Sequence, residues 1–199
     1  MPNTSDVRIG APDQGTTGAI LHAPVGTALP TMASITKTGV SWSGQTSFTG
    51  NEYVSEDGVT LSPARTTTDI KDWSGSVVRK VLESFDGTLQ WTMISTDRAA
   101  LEVAFGSKHL TYSTANASHG NQAQVALGAF MPDEYAWVFL MKDENARIVI
   151  AVPDGQITEV GDVTFASNAA VGWPVTLSCY PDSSGNSIYI ITDDGTWTA

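Results

Sequence analysis

The sequence predicts a mainly β, α+β fold: an antiparallel β-sandwich with one flanking α-helix. Three observations lead there. The 199 residues include 24 Thr and 18 Gly beside many Val and Ser, a composition that favours strands and turns. From Thr38 onward, short alternating apolar stretches recur between Asp-Gly and Pro-Asp-Gly signals. A single helical signature interrupts them, giving strands, one helix, then more strands, with the helix covering one end of the sheet.

Residues 1–34 are rich in Gly, Ala, Pro and Thr and carry little periodicity. They cannot build a core alone, so they read as an extended N-terminal arm, with Ile20, Leu21, Val25 and Leu29 as anchors for a partner to cover, or as a disordered tail, with ordering on assembly deciding between the two. Residues 35–199 form the single β-domain. Gly39 to Phe48 alternates Val40 and Trp42 with Ser41 and Ser43, and Tyr53 to Leu61 contains a tight turn at Glu56-Asp57-Gly58. Residues 62–72 (SPARTTTDIKD) have no apolar period and carry Arg65, Asp69, Lys71 and Asp72, which predicts a long solvated loop. A hairpin is expected from Val77–Phe85 and Thr88–Ile94 around Asp86-Gly87, with Leu89, Trp91 and Met93 on one face. The helix is expected over about 97–105, with Thr96 as N-cap, Leu101, Ala104 and Phe105 as its apolar stripe, and Gly106 as its stop. So short a helix must pack on a sheet. After a loop at 113–124, strands are expected at Tyr135–Met141, Arg147–Val152, Val160–Ala166, Val175–Tyr180 and Ser187–Thr192, with a turn at Pro153-Asp154-Gly155.

Charge excludes several functions. Ten Lys and Arg stand against 21 Asp and Glu, a formal net charge of -11. Such a surface repels phosphate, which rules out adhesive binding to nucleic acid or to anionic lipid. The charge is also uneven, because residues 133–199 hold 10 acids and 2 bases, or -8 of the total. One cysteine, Cys179, excludes an intramolecular disulfide and a cysteine-based zinc site, and alternation in VTLSCY makes it a small core residue. The first residues lack a leader pattern and the longest strongly apolar run, Ala136 to Met141, is too short for a membrane span, so neither secretion nor membrane association is expected.

Catalytic signatures fail one by one. His22, His109 and His119 are scattered without carboxylates at ligand spacing, so no metal and no cofactor is expected. No G-x-S-x-G elbow or phosphate-binding glycine loop occurs. Glu52, Glu56, Asp57, Asp69 and Asp72 could in principle supply a glycosidase acid and base, but in an acidic β-protein such residues solvate turns and guard strand edges. Of the six tryptophans, Trp91 and Trp137 have core-like alternation. Trp73, after a charged segment and before Gly75, is a candidate interface anchor. The alternative from another class is a virion decoration or carbohydrate-binding β-sandwich with sugars stacked on exposed tryptophans.

Tyr53 to Arg79 (YVSEDGVTLSPARTTTDIKDWSGSVVR), the hairpin after it, and STDRAALEVAFG together resemble the major tail tube proteins of long-tailed bacteriophages, particularly siphoviruses of actinobacteria. The pattern is a strand ending in SEDGV, a variable charged segment, D-I-x-x-W-x-G with V-V-R, a Thr-containing hairpin, and a helix closing in F-G. The segment WPVTLSCYPDSSGNS resembles the family's last strands. The resemblance implies a non-enzymatic virion protein made in the host bacterial cytoplasm. It also implies homohexameric rings joined by a ring-wide β-barrel, stacked into a tube that encloses the tape measure protein and conducts DNA during ejection. Tail terminator and tail tip proteins would be further partners. On that reading Arg65, Asp69, Lys71, Asp72 and Trp73 lie between rings or subunits. Asp143, Glu144, Asp154, Glu159 and Asp162 line the lumen, where like charge keeps DNA from adhering.

Overall fold

The computed structural model describes residues 7–13, 18–50 and 53–197. In chain order the strands are β1 (Ala11–Pro12), β2 (Ile20–Pro24), β3 (Ile35–Thr36), β4 (Gly39–Val40), β5 (Val54–Lys71) and β6 (Val77–Met93). Helix α1 (Arg98–Phe105) follows, then β7 (Leu110–Ser113), β8 (Gln122–Val125), β9 (Tyr135–Asp143), β10 (Ala146–Val160), β11 (Trp173–Tyr180) and β12 (Tyr189–Asp193). The fold is the mainly β architecture with one helix that the composition predicts. Eight strands make one curled antiparallel sheet in the order β1-β9-β10-β11-β6-β5, with β2 also on β9 and β12 also on β10. The pairs β3-β4 and β7-β8 stand apart as small ribbons.

Strand β10 produces the curl. Between Val152 and Gly155 its register shifts, and there it changes partner: Arg147–Ala151 pair with β12, whereas Asp154–Val160 pair with β11. A bulge bends a strand and raises its twist, which lets the sheet turn back on itself. Two apolar layers result. One face gathers Leu89, Trp91, Met93, Trp137, Phe139, Val152, Leu177 and Cys179 under α1. The other gathers Leu21, Val138, Leu140, Val149 and Ile191 under Ile35, Trp42 and Phe48. Alternation along β9 explains the division, because Trp137 and Phe139 point one way and Val138 and Leu140 the other.

Several expectations are corrected. Pro153-Asp154-Gly155 is the bulge of a continuous strand rather than a turn. Asp86-Gly87 likewise lies inside β6, and the hairpin is β5 with β6, closing at Asp72–Ser76. Segment 62–72 is therefore strand through Lys71, solvated as expected but not a loop. Glu56-Asp57-Gly58 is a bulge in β5, with Gly58 at φ 71°. Residues 161–166 are irregular, since β10 ends at Val160. Asp97, not Thr96, caps α1, its carboxylate accepting from the Ala100 N–H at 3.0 Å.

The N-terminal segment is tied to the body. Ile20 and Leu21 are buried by their own chain, because β2 pairs along β9 from Ile20↔Phe139 to Pro24↔Tyr135. Ahead of it, the Ile9 N–H donates to Asp143 Oδ2 at 3.0 Å, and the Asp13 carboxylate lies 3.8 Å from the buried guanidinium of Arg147. Within the described residues, the expected anchors Ile20 and Leu21 are thus satisfied internally, whereas Val25 remains exposed.

β2 also brings His22 against Tyr135 and Trp137, at ring-centroid distances of 5.1 and 5.2 Å. Burial lowers its imidazole pKa to about 4, so the folded state holds it neutral. A depressed folded value means that the unfolded chain takes up the proton first. Stability present above about pH 6.5 is therefore lost as pH falls towards 4, by on the order of 2–3 kcal/mol. Thermal melts of wild type and His22→Phe across this window should show a steeper decline in the wild type; parallel curves would contradict the assignment.

Candidate functional site

Residues 62–86 are exposed without exception. They form a two-stranded ribbon, because β11 pairs with β6 only over Gly87–Met93 and nothing covers the rest of β5 and β6. Ten residues of strand carry its tip about 33 Å from the body. An isolated two-stranded hairpin is at best marginally stable in water, so this one needs local devices and, in use, a cover.

The local devices are visible. At the tip, Asp72 Oδ1 accepts the Ser74 hydroxyl at 2.6 Å and the Ser76 N–H at 2.9 Å. These hydrogen bonds, the Ser74 hydroxyl first, lower the carboxyl pKa below its ordinary value. Gly75 supplies the left-handed residue of the turn at φ 85°. Lower on the ribbon Asp69 and Lys80 pair across the strands at 2.7 Å, and the Arg65 guanidinium lies 5.7 Å from the centroid of the Phe85 ring. An exposed pair of this kind contributes at most about 1 kcal/mol.

Register puts exposed apolar side chains on both faces of the ribbon, among charged and Thr residues. Arg65↔Phe85 and Thr67↔Leu82 share one face, Thr68↔Val81 and Ile70↔Arg79 the other, and Val77, Val78, Val81, Leu82 and Ile70 are all exposed. Trp73 stands fully exposed at the tip. The four acids and four bases of 62–86 cancel, so a neutral ribbon projects from a body that carries the whole -11. Arg65, Asp69, Lys71, Asp72 and Trp73 are thereby brought together along the outer half of one hairpin.

At the base of the hairpin, a cleft of about 700 Å³ opens between the start of β5 and the N-terminal strands β1 and β2. Ile20, Val54, Val59, Phe139 and Met141 line it, with Glu56 at its rim.

The acids of the C-terminal third separate into two groups. Asp143 and Glu144 sit at the β9-β10 turn, while Asp154, Glu159 and Asp162 lie in or beyond the second half of β10. One Asp154 oxygen is buried without a hydrogen-bond partner, and desolvation raises its pKa. About 50 Å of bent strand separates Glu144 from Glu159 along β10.

Nothing in this arrangement supports hydrolysis. Glu52 lies outside the described residues; Glu56 and Asp57 are more than about 30 Å of strand from Asp69 and Asp72, far beyond the spacing of a glycosidase pair. Trp42, Trp91 and Trp137 are core, and Trp173 packs edge-on against Phe105 at 5.6 Å, so they offer no sugar platform. Among the described residues, no three His, Cys, Asp or Glu side chains gather as a metal site, and no helix is long and apolar enough to cross a membrane. Cys179 is buried and its thiol pKa is raised to about 12.

What the surface does offer is unfinished structure: uncovered strand edges, an apolar ribbon and an open cleft, all suited to contact with protein. No curated protein matches the chain. The sequence model of the phage tail tube protein family matches residues 2–199, and the chain belongs to that family, as a structural, non-enzymatic component of the virion tail.

Proposed function

We propose that six copies close into a ring, that rings stack end to end into the tube of a long-tailed, siphovirus-type phage, and that the 62–86 hairpin crosses from one ring to the next. The uncovered run of 25 exposed residues carries this reading, since a two-stranded ribbon with apolar side chains exposed on both faces is marginal in water and gains from a covering surface. Ring closure and stacking are heterologous contacts and need unlike, mutually complementary patches. The neutral hairpin and the acidic body are such a pair. Arg65, Asp69, Lys71, Asp72 and Trp73 then lie between rings, while the uncovered edge of the hairpin and the exposed Val7 and Ile9 ahead of β1 serve the ring-wide barrel.

The tube encloses the tape measure protein during assembly in the host cytoplasm, meets tail terminator and tip proteins at its ends, and conducts DNA during ejection. Six copies at -11 bring -66 to each ring, and duplex DNA carries one negative charge per about 1.7 Å, so like charge keeps passage non-adhesive. Asp143 and Glu144 at one end of β10, and Asp154, Glu159 and Asp162 at the other, would line the lumen at two heights. Negative-stain microscopy of concentrated protein is expected to show rings or tubes with a central hole. Protein that stays strictly monomeric at high concentration would refute the reading.

A further inference from the structure

We infer that Trp73 of one copy docks in the cleft at the base of β5 in another copy. The inference deepens the stacked-ring reading and depends on it, and it assigns a donor and an acceptor to the ring-to-ring contact.

The two features complement each other. Trp73 is the most exposed large side chain of the hairpin, held forward by a turn fixed through Asp72, Ser74 and Gly75. A tryptophan buries up to about 250 Å² when enclosed, which makes an exposed one at a rigid tip a strong anchor. The cleft is apolar at its floor, where Phe139 and Ile20 belong to the core, and its volume is in the range that encloses a ligand of this size. Charge agrees as well. Over residues 69–80, Lys71, Arg79 and Lys80 outnumber Asp69 and Asp72 by one charge, with Lys80 held by Asp69, whereas the acidic Glu56 stands at the cleft. The hairpin supplies four of the ten basic residues of an otherwise acidic molecule.

Geometry selects the occupant. Cleft and tip lie at opposite ends of one strand, about 40 Å apart, and a paired strand cannot fold back over that distance. A copy therefore cannot fill its own cleft. Donor at one end and acceptor at the other is a head-to-tail contact that does not close between two copies, and with donor and acceptor about 40 Å apart along the hairpin it suits the stacking of rings.

Cysteine cross-linking tests this, because the native Cys179 is buried and silent. Ser76→Cys keeps the backbone N–H that bonds Asp72 and leaves Trp73 and its turn in place near the new thiol, and Ser55→Cys places a thiol in the cleft. Mixed and mildly oxidised, the two variants should form a disulfide dimer about tenfold faster than Ser76→Cys with Thr111→Cys on β7. Adding Trp73→Ala to the donor should remove that advantage. Equal rates with and without Trp73, or no preference for Ser55 over Thr111, would overturn the docking. Preferential cross-linking of Ser55→Cys to Ala115→Cys would make the tip of the β7-β8 ribbon the occupant and would equally overturn it. Wild-type-like tubes from Trp73→Ala would sink the docking and leave the ring-and-stack reading standing; wild-type protein that forms neither rings nor tubes would remove both.

Discussion

Trp137→Ala lowers the unfolding free energy by about 3–5 kcal/mol, the largest loss expected from any single side chain. Trp137 is 1% exposed and sits near the start of β9, the strand that joins the N-terminal strands to the rest of the sheet. It meets Trp91 edge-to-face at 5.6 Å and His22 at 5.2 Å, so one truncation opens the first core layer beneath two strands. Its Nε1–H also donates to the Gly155 carbonyl at 3.1 Å, inside the bulge of β10. Removing the indole thus costs packing and leaves a buried carbonyl unpaired at the bend that curls the sheet. Against a total of about 5–15 kcal/mol, that loss should lower Tm by about 10 °C in a domain of this size. Trp137→Phe separates the two contributions, because it keeps most of the ring and loses only the donor. Calorimetry that found less than about 1 kcal/mol for the alanine variant would mean that the indole is not the keystone of this layer.

The same region shows how much the sequence discloses. β11, β12 and α1 were legible because each has one face on a core and burial writes its period into the residues, whereas β9, with a core layer on each face, showed as the apolar run Ala136 to Met141. Trp91 and Trp137 followed from that alternation. Two of the three Asp-Gly signals, at Gly87 and Gly155, misled for a packing reason. A Cβ on Gly87 would come 2.6 Å from Ile188 Cδ1, and one on Gly155 would come 3.0 Å from Leu177 Cδ1. Both glycines are there for close packing within strands, a demand that single-sequence reading cannot separate from a turn.

The hairpin was illegible for the opposite reason. A ribbon bare on both faces has no inside, so 62–72 shows no alternation and looks like loop. Two signals remained available: the β-propensity of Thr66-Thr67-Thr68, and the turn chemistry of Asp72-Trp73-Ser74-Gly75-Ser76. Trp73 was singled out because it fits neither core nor turn. The cleft could not be read at all, since it depends on how β5 meets β1 and β2. The pairing of β2 with β9 was equally unreadable, its buried pair Ile20 and Leu21 being too short a signal among small residues.

Excising the hairpin should leave a folded protein that builds no tube. Ala64 and Asp86 face each other across the ladder, so replacing residues 65–85 by Asn-Gly closes the strands with a two-residue turn suited to antiparallel pairing. The removed residues are all exposed and touch no core layer, so stability should change by no more than about 1 kcal/mol. Far-ultraviolet circular dichroism and a melt check that half; microscopy and sedimentation check the other, where only monomers or isolated rings are expected. Charge reversal at Arg65, Asp69, Lys71 and Asp72 is the milder form. It keeps the length of the ribbon but inverts the Asp69–Lys80 pairing and the anchor of the Asp72 turn, and it should block tube growth while the subunit stays folded. Tubes of normal length from either variant would place the stacking contact elsewhere on the sheet. An excised chain that fails to fold would show instead that the ribbon supports its own subunit. A ribbon with no covered face in the monomer makes the first of these three outcomes, a folded subunit that cannot stack, the expected one.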